Sequence, residues 1–175
     1  MMKNPLLLLL YVIIAIGTPL IILQGQWRNP VVWLGYAALA IPLAARFFHM
    51  PGWFATLVVF GSFLEIIIGN VFGAYRLAGF DLIMHAFAGF LLAVLFLQFT
   101  KNATLPRTLL LPLVVFTSLG VGAAFEVFEF MSDTMLQTQL QHSLQNTMLD
   151  LVADGAGAFI GALFLIYAKF KPRNP

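Results

Sequence analysis

Apolar runs long enough to cross a lipid bilayer dominate this chain, and they leave little room for folding in any other solvent. Marked off by Gly, Pro and charged residues, they fall at about residues 5–23, 31–48, 54–72, 81–99, 107–130 and 147–168. A helix crossing roughly 30 Å of hydrocarbon needs about 20 such residues, whereas a core helix in water rarely does. With 61% hydrophobic and only 9% charged residues, the chain reads as an all-α integral membrane protein. The expected architecture is a bundle of six transmembrane helices forming one membrane domain over residues 1–175. Most connections are short, as antiparallel neighbours require, and no interior linker marks a second domain. Lys3 ahead of Leu6–Ile16 superficially suggests a signal peptide. Gly17, Thr18 and Pro19 make a poor cleavage site, however, and the apolar run resumes at Leu20, so a retained span is expected.

The nine basic residues barely outnumber the seven acidic ones and stand singly at segment ends, which excludes a nucleic-acid surface. They also set an orientation. Lys3, Arg46, Lys101, Arg107, Lys169, Lys171 and Arg173 fall on one side of the expected spans, and only Arg28 and Arg76 on the other. By the positive-inside rule both termini are cytoplasmic. Trp27, Trp33 and Trp53 lie near span ends, where an amphipathic ring favours the headgroup layer.

Against this apolar background, Glu65, Asp81, Glu126, Glu129, Asp150 and Asp154 sit inside or at the lip of the spans, together with His85. Ionisable groups are costly there and usually line a site, a path or a cavity. The expected orientation brings all six carboxylates towards the extracytoplasmic end. Asp81 and His85 are four residues apart, Glu126 and Glu129 three, and Asp150 and Asp154 four, so each pair shares one helical face. Helical bundles assemble metal sites from inward-facing side chains in this way. Gly61 and Gly69 flank Glu65, Gly89 follows His85, Gly122 precedes Glu126, and Gly157 and Gly161 extend the Asp154 face. Small residues let helices approach closely in a membrane, so the acidic faces are expected to be packing faces.

Two unit charges 4 Å apart repel by about 4 kcal/mol at an effective dielectric of 20, so converging carboxylates need protons or a cation among them. The Glu126 and Glu129 pair, near a helix C-terminus where the dipole disfavours anions, is where a cation is most expected. The chain has no cysteine, so any metal is held by oxygen and nitrogen. Zn, Mn or Fe suits the mixed set, and Mg or Ca suits the carboxylates alone. Such an ion can activate water, with Glu126 or Glu129 as general base. The leading reading is therefore a metal-dependent membrane hydrolase or transferase acting on a lipid or envelope substrate, with Arg28 and Arg76 on a phosphate headgroup. A proton- or cation-coupled transporter or channel and a metal-stabilised protein without turnover are the alternatives. No internal repeat supports an inverted-repeat transporter.

Plainer roles compete for some residues. Thr147 and Asp150 fit a capping box, Asp81 a helix start, His49 an interfacial position and Asp133 a solvated one. His142, in the long connection 131–146, is an additional candidate for the site. Leu136, Leu140 and Leu144, four apart in that connection, suit a short interfacial helix or lid.

The runs FDLIMHAFAGF at 80–90, AAFEVFEF at 123–130 and NTMLDLVADGAGAFIGALF at 146–164 resemble an uncharacterised bacterial inner-membrane family typified by YjdF. A looser similarity is to VanZ-like membrane proteins. The resemblance covers about residues 79–165 and makes Asp81, His85, Glu126, Glu129 and Asp150 the motif positions. Asn146 stands where the family pattern begins its last acidic motif with Asp. The resemblance implies a multi-pass protein of the bacterial inner membrane.

Overall fold

A computed structural model of the chain describes residues 5–25, 32–33, 52–100 and 105–169, and all regular structure among them is helical. Helix α1 spans Pro5–Leu23. Helix α2, Gly52–Phe63, runs on into a π-helical stretch, Leu64–Val71, and a short 3-10 turn follows at Ala74–Arg76. Helices α3 (Phe80–Phe99), α4 (Arg107–Leu136) and α5 (Leu144–Lys169) complete the described chain. The stretches Gly52–Val71, Phe80–Phe99, Thr108–Leu136 and Leu144–Phe164 are long and apolar enough to cross a membrane, and Tyr11–Leu23 is a shorter apolar helix. Large apolar side chains such as Phe116, Val152 and Ile160 are exposed, the arrangement that lipid contact favours. The expected span at 31–48, and with it Arg28 and His49, lies outside the described residues save for Val32 and Trp33.

The chain divides after Asp81 into two compact units, each with its own apolar core. In the first, Ile14, Ile21, Val32, Val59, Ile66 and Ile67 pack together. The π-helical stretch there has a local cause. Asn70 reaches back five residues to donate to the Glu65 carbonyl at 2.7 Å and to its carboxylate at 3.1 Å, favouring the wider turn. Gly73, at φ 72°, then reverses the chain in a conformation that a side chain would strain.

The second unit is built from α3, α4 and α5 around Ala93, Leu97, Val114, Ala158 and Ala162. Helix α4 runs past the expected end at 130 as far as Leu136, so the expected connection 131–146 contracts to 137–143 and holds no helix. Leu136 closes α4, Leu140 is in the loop and Leu144 opens α5, so the three do not form the expected stripe. Asp133 supplies the reason. Its carboxylate accepts hydrogen bonds from Thr138 Oγ1 at 2.6 Å, Leu140 N at 2.8 Å and Gln141 N at 2.9 Å, and Gln137 turns left-handed at φ 56°. A residue expected only to be solvated thus also organises the turn.

Helix α5 likewise starts earlier than expected, because Ser143 Oγ accepts from Asn146 N at 3.1 Å and caps it. Thr147 is therefore inside the helix, and the capping box expected of Thr147 and Asp150 does not form.

Candidate metal centre

Three glycines shape the centre of the second unit. A Cβ added to Gly89 of α3 would overlap the backbone carbonyl of Asp154 in α5, and one on Gly157 would overlap that of Ala86 in α3. A Cβ on Gly122 of α4 would strike the Asp154 carboxylate itself. Helices α3 and α5 thus meet backbone to backbone, as small residues allow in lipid. Asp154 is seated among all three helices, 2% exposed and about 15 Å along α5 from Leu144.

Asp154 faces His85. The histidine Nδ1 lies 3.3 Å from Asp154 Oδ1 and 3.4 Å from Oδ2, and the edge of Phe125 packs against its ring at a centroid distance of 5.9 Å. On the far side of the ring, Nε2 is 3.9 Å from Glu126 Oε1. Glu126 is 4% exposed; its Oε2 accepts a 2.8 Å hydrogen bond from Thr147 Oγ1, while Oε1 is buried with no hydrogen-bond partner. Thr147 in turn accepts from Gln141 Nε2 at 3.1 Å, which links the loop to the carboxylate. Asp150, 1% exposed, accepts from the side-chain amide of Asn146. Asn146 thus places a donor beside Asp150 and adds no second negative charge there.

Asp81 lies one turn before His85 on the same helix, and it offers an oxygen to a shared point. Single ligand atoms from Asp81, His85 and Asp150 all lie within 4.8 Å of one another. The chain has no Lys or Arg between 77 and 100 or between 108 and 168, so no basic side chain on these spans can balance the carboxylates. At a few ångströms their mutual repulsion is several kcal/mol, which a divalent cation would turn into attraction. A carboxylate and imidazole set with no thiolate suits Zn, Mn or Fe, and Mg through the carboxylates.

The expected residues are thus only partly assembled. Asp81, His85 and Asp150 group together, and Glu126 and Asp154 flank His85. Glu129, one turn beyond Glu126, is half-buried and outside that grouping. Glu65 lies in the first unit, where Asn70 and the Tyr75 hydroxyl donate to its carboxylate. His142 is exposed in the loop, and Arg76 closes the 3-10 turn of the first unit. Sequence reasoning missed Thr147 as the holder of Glu126 and Gln141 behind it. The signal was present, because Thr147, Asp150 and Asp154 share one helical face by their spacing of three and four.

A family described as a predicted membrane protein family, DUF2238, matches residues 4–170. It is the family typified by YjdF, so the similarity extends over nearly the whole chain and not only its C-terminal half. No curated protein and no solved structure matches, and nothing supports the looser similarity to VanZ-like proteins.

Proposed function

Given that the chain belongs to the DUF2238 family of predicted membrane proteins, we propose that it is a multi-pass inner-membrane enzyme with a divalent cation held by side chains of α3, α4 and α5. Asp81, His85 and Asp150 hold the ion, and Glu126 completes the set. The single observation that carries this reading is Glu126 Oε1, a buried carboxylate oxygen with no hydrogen bond, aimed at His85 Nε2. Their 3.9 Å separation is too long for a hydrogen bond. It is shorter than two metal–ligand bonds of about 2.0–2.2 Å laid end to end, so one ion can touch both atoms.

An ion there supplies a Lewis acid and a water of lowered pKa. Glu129, on the next turn of α4, is the general base, and the reaction is hydrolysis or transfer at an ester or phosphoryl group. Lipid is the substrate that the surroundings favour, because the site lies within membrane-spanning helices whose outer faces are apolar. The distribution of basic residues favours the extracytoplasmic end for the site.

Cation or proton transport is the second reading, favoured by His85 standing between two carboxylates. Against it, the side chains packed in the second unit's apolar core are Ala93, Leu97, Val114, Ala158 and Ala162, and the buried Ser118 of α4 adds a single hydroxyl beside them.

The test reconstitutes the protein in vesicles of bacterial lipid and follows lipid products by mass spectrometry. Metal-dependent products that disappear with chelator and with Glu126→Ala are expected. Unchanged lipid at saturating metal, alongside cation or proton flux that the same substitution abolishes, would replace the enzyme with the transporter.

A further inference from the structure

Helices α4 and α5 are joined unevenly. Thr147 of α5 stands opposite Glu126 of α4, where its hydroxyl donates to the carboxylate at 2.8 Å. From that level α4 runs on to Leu136, about 15 Å, whereas α5 reaches back only to Leu144, about 5 Å. The loop 137–143 therefore returns about 10 Å along the side of α4 before α5 begins.

Two attachments hold the loop there. The Asp133 carboxylate accepts from Thr138 Oγ1 at 2.6 Å, Leu140 N at 2.8 Å and Gln141 N at 2.9 Å. Further along, Gln141 Nε2 donates to Thr147 Oγ1 at 3.1 Å. Thr138, Leu140 and Gln141 are accordingly half-buried, while Gln137, Gln139, His142 and Ser143 are exposed. No residue of the loop belongs to the apolar core of the unit or packs against it. Opening the loop gives up hydrogen bonds and little apolar burial, which is the character of segments that open locally. It also releases Gln137, whose φ of 56° is a conformation that a residue with a side chain adopts at a cost. The groups next to Gln141 are closed off, with Thr147 8% exposed and Glu126 4%.

We propose that the loop 137–143 is a strap that gates the centre, with Asp133 as its clasp. Fastened to Asp133, the strap keeps Gln141 on Thr147 and shuts the approach to Glu126 from the turn between α4 and α5. Unfastened, it swings aside and uncovers Thr147 and the carboxylate behind it. That the gate admits a divalent cation rests on the cation site proposed above, whereas the movement of the strap does not.

The chain has no cysteine, so Thr147→Cys places a single thiol under the strap. The full chain, metal-free in detergent, is treated with a small charged methanethiosulfonate, and its labelling rate is compared with that of Thr147→Cys combined with Asp133→Asn. Thr147→Cys alters the Gln141 contact equally in both, so the comparison reads the clasp. Slow labelling with the clasp intact is expected, and labelling faster by about tenfold or more without it, because hydrogen bonds to a charged acceptor are lost. Equal rates overturn the proposal, as does a thiol that reacts as fast in the clasped chain as in denatured protein. Thr138→Val, which removes one bond to Asp133, takes the place of Asp133→Asn if that variant does not fold. A smaller acceleration is then expected, and no acceleration overturns the proposal.

Metal kinetics separate the strap from the cation site. With Thr147 intact, Asp133→Asn is expected to speed release of bound Mn to excess chelator by a similar factor while leaving Kd unchanged, because a gate acts on entry and exit alike. Faster labelling with unchanged release overturns the gate. If the wild type binds no Mn yet labelling responds to the clasp, the cation site fails and the strap stands. Mn bound by a chain whose labelling is indifferent to Asp133 leaves the cation site and removes the strap.

Discussion

Glu65 and Glu126 are both acidic residues on apolar helices, yet their surroundings treat them in opposite ways. Glu65 receives donors from its own segment, Asn70 and Tyr75, within ten residues of chain. Those bonds also shape the π-helical turn on which it sits. Glu126 receives its donor from another helix, and only on one oxygen; the other is kept buried without a hydrogen bond opposite an imidazole nitrogen. A buried polar atom without a partner costs about 1–3 kcal/mol. The comparison teaches that an acid inside a membrane helix is not by itself a site. A local set of donors turns it into structure, whereas donors that stop short of satisfying it leave chemistry available.

The largest expected difference between the two is in metal binding. Glu126→Gln is expected to lower affinity for Mn or Zn by well over about tenfold, because it removes a ligand and not merely a support. Glu65→Gln is expected to leave it unchanged, as read by isothermal titration of the purified protein. Equal losses from both would break the contrast.

Packing comes next. Gly122→Ala or Gly157→Ala forces a methyl group against Asp154 or the Ala86 backbone, and destabilisation of about 1–3 kcal/mol is expected in thermal unfolding. Gly120, two residues from Gly122 on the same helix, has nothing within 4 Å of an added Cβ. Gly120→Ala should therefore be neutral or slightly stabilising, which separates tight packing from a general intolerance of α4.

A smaller effect belongs to the first unit. Tyr75→Phe removes one donor from Glu65 and is expected to cost about 0.5–1.5 kcal/mol of stability with metal binding intact. The smallest is His142→Ala. The side chain is exposed in the loop, and neither metal affinity nor unfolding temperature should change.

Much of this was legible in the sequence because membrane burial writes a coarse signal. Long apolar runs located the described spans to within a few residues at most ends, and the i, i+4 spacing of glycine and acid showed which helix faces would pack. The end of α4 was not legible, because it depends on Asp133 capturing three donors from the loop beyond it. Nor was the start of α5, where Ser143 caps Asn146 ahead of the Thr147 and Asp150 pair that looked like the signal. Within the candidate centre, charge alone could not rank the carboxylates. Glu65 and Glu126 looked alike until the positions of their donors, Asn70 and Tyr75 against Thr147, were known. Asp154 looked like a ligand on its spacing, and that spacing could not show that its carboxylate lies against His85 Nδ1.

The central claim is that a cation sits between His85 Nε2 and Glu126 Oε1, and metal content measures it most directly. Protein purified without chelator should carry near-stoichiometric divalent metal by elemental analysis, with His85→Gln and Glu126→Gln each empty and folded and Glu65→Gln fully loaded. Metal-free wild-type protein that also fails to bind added Zn, Mn, Fe or Mg would contradict the account.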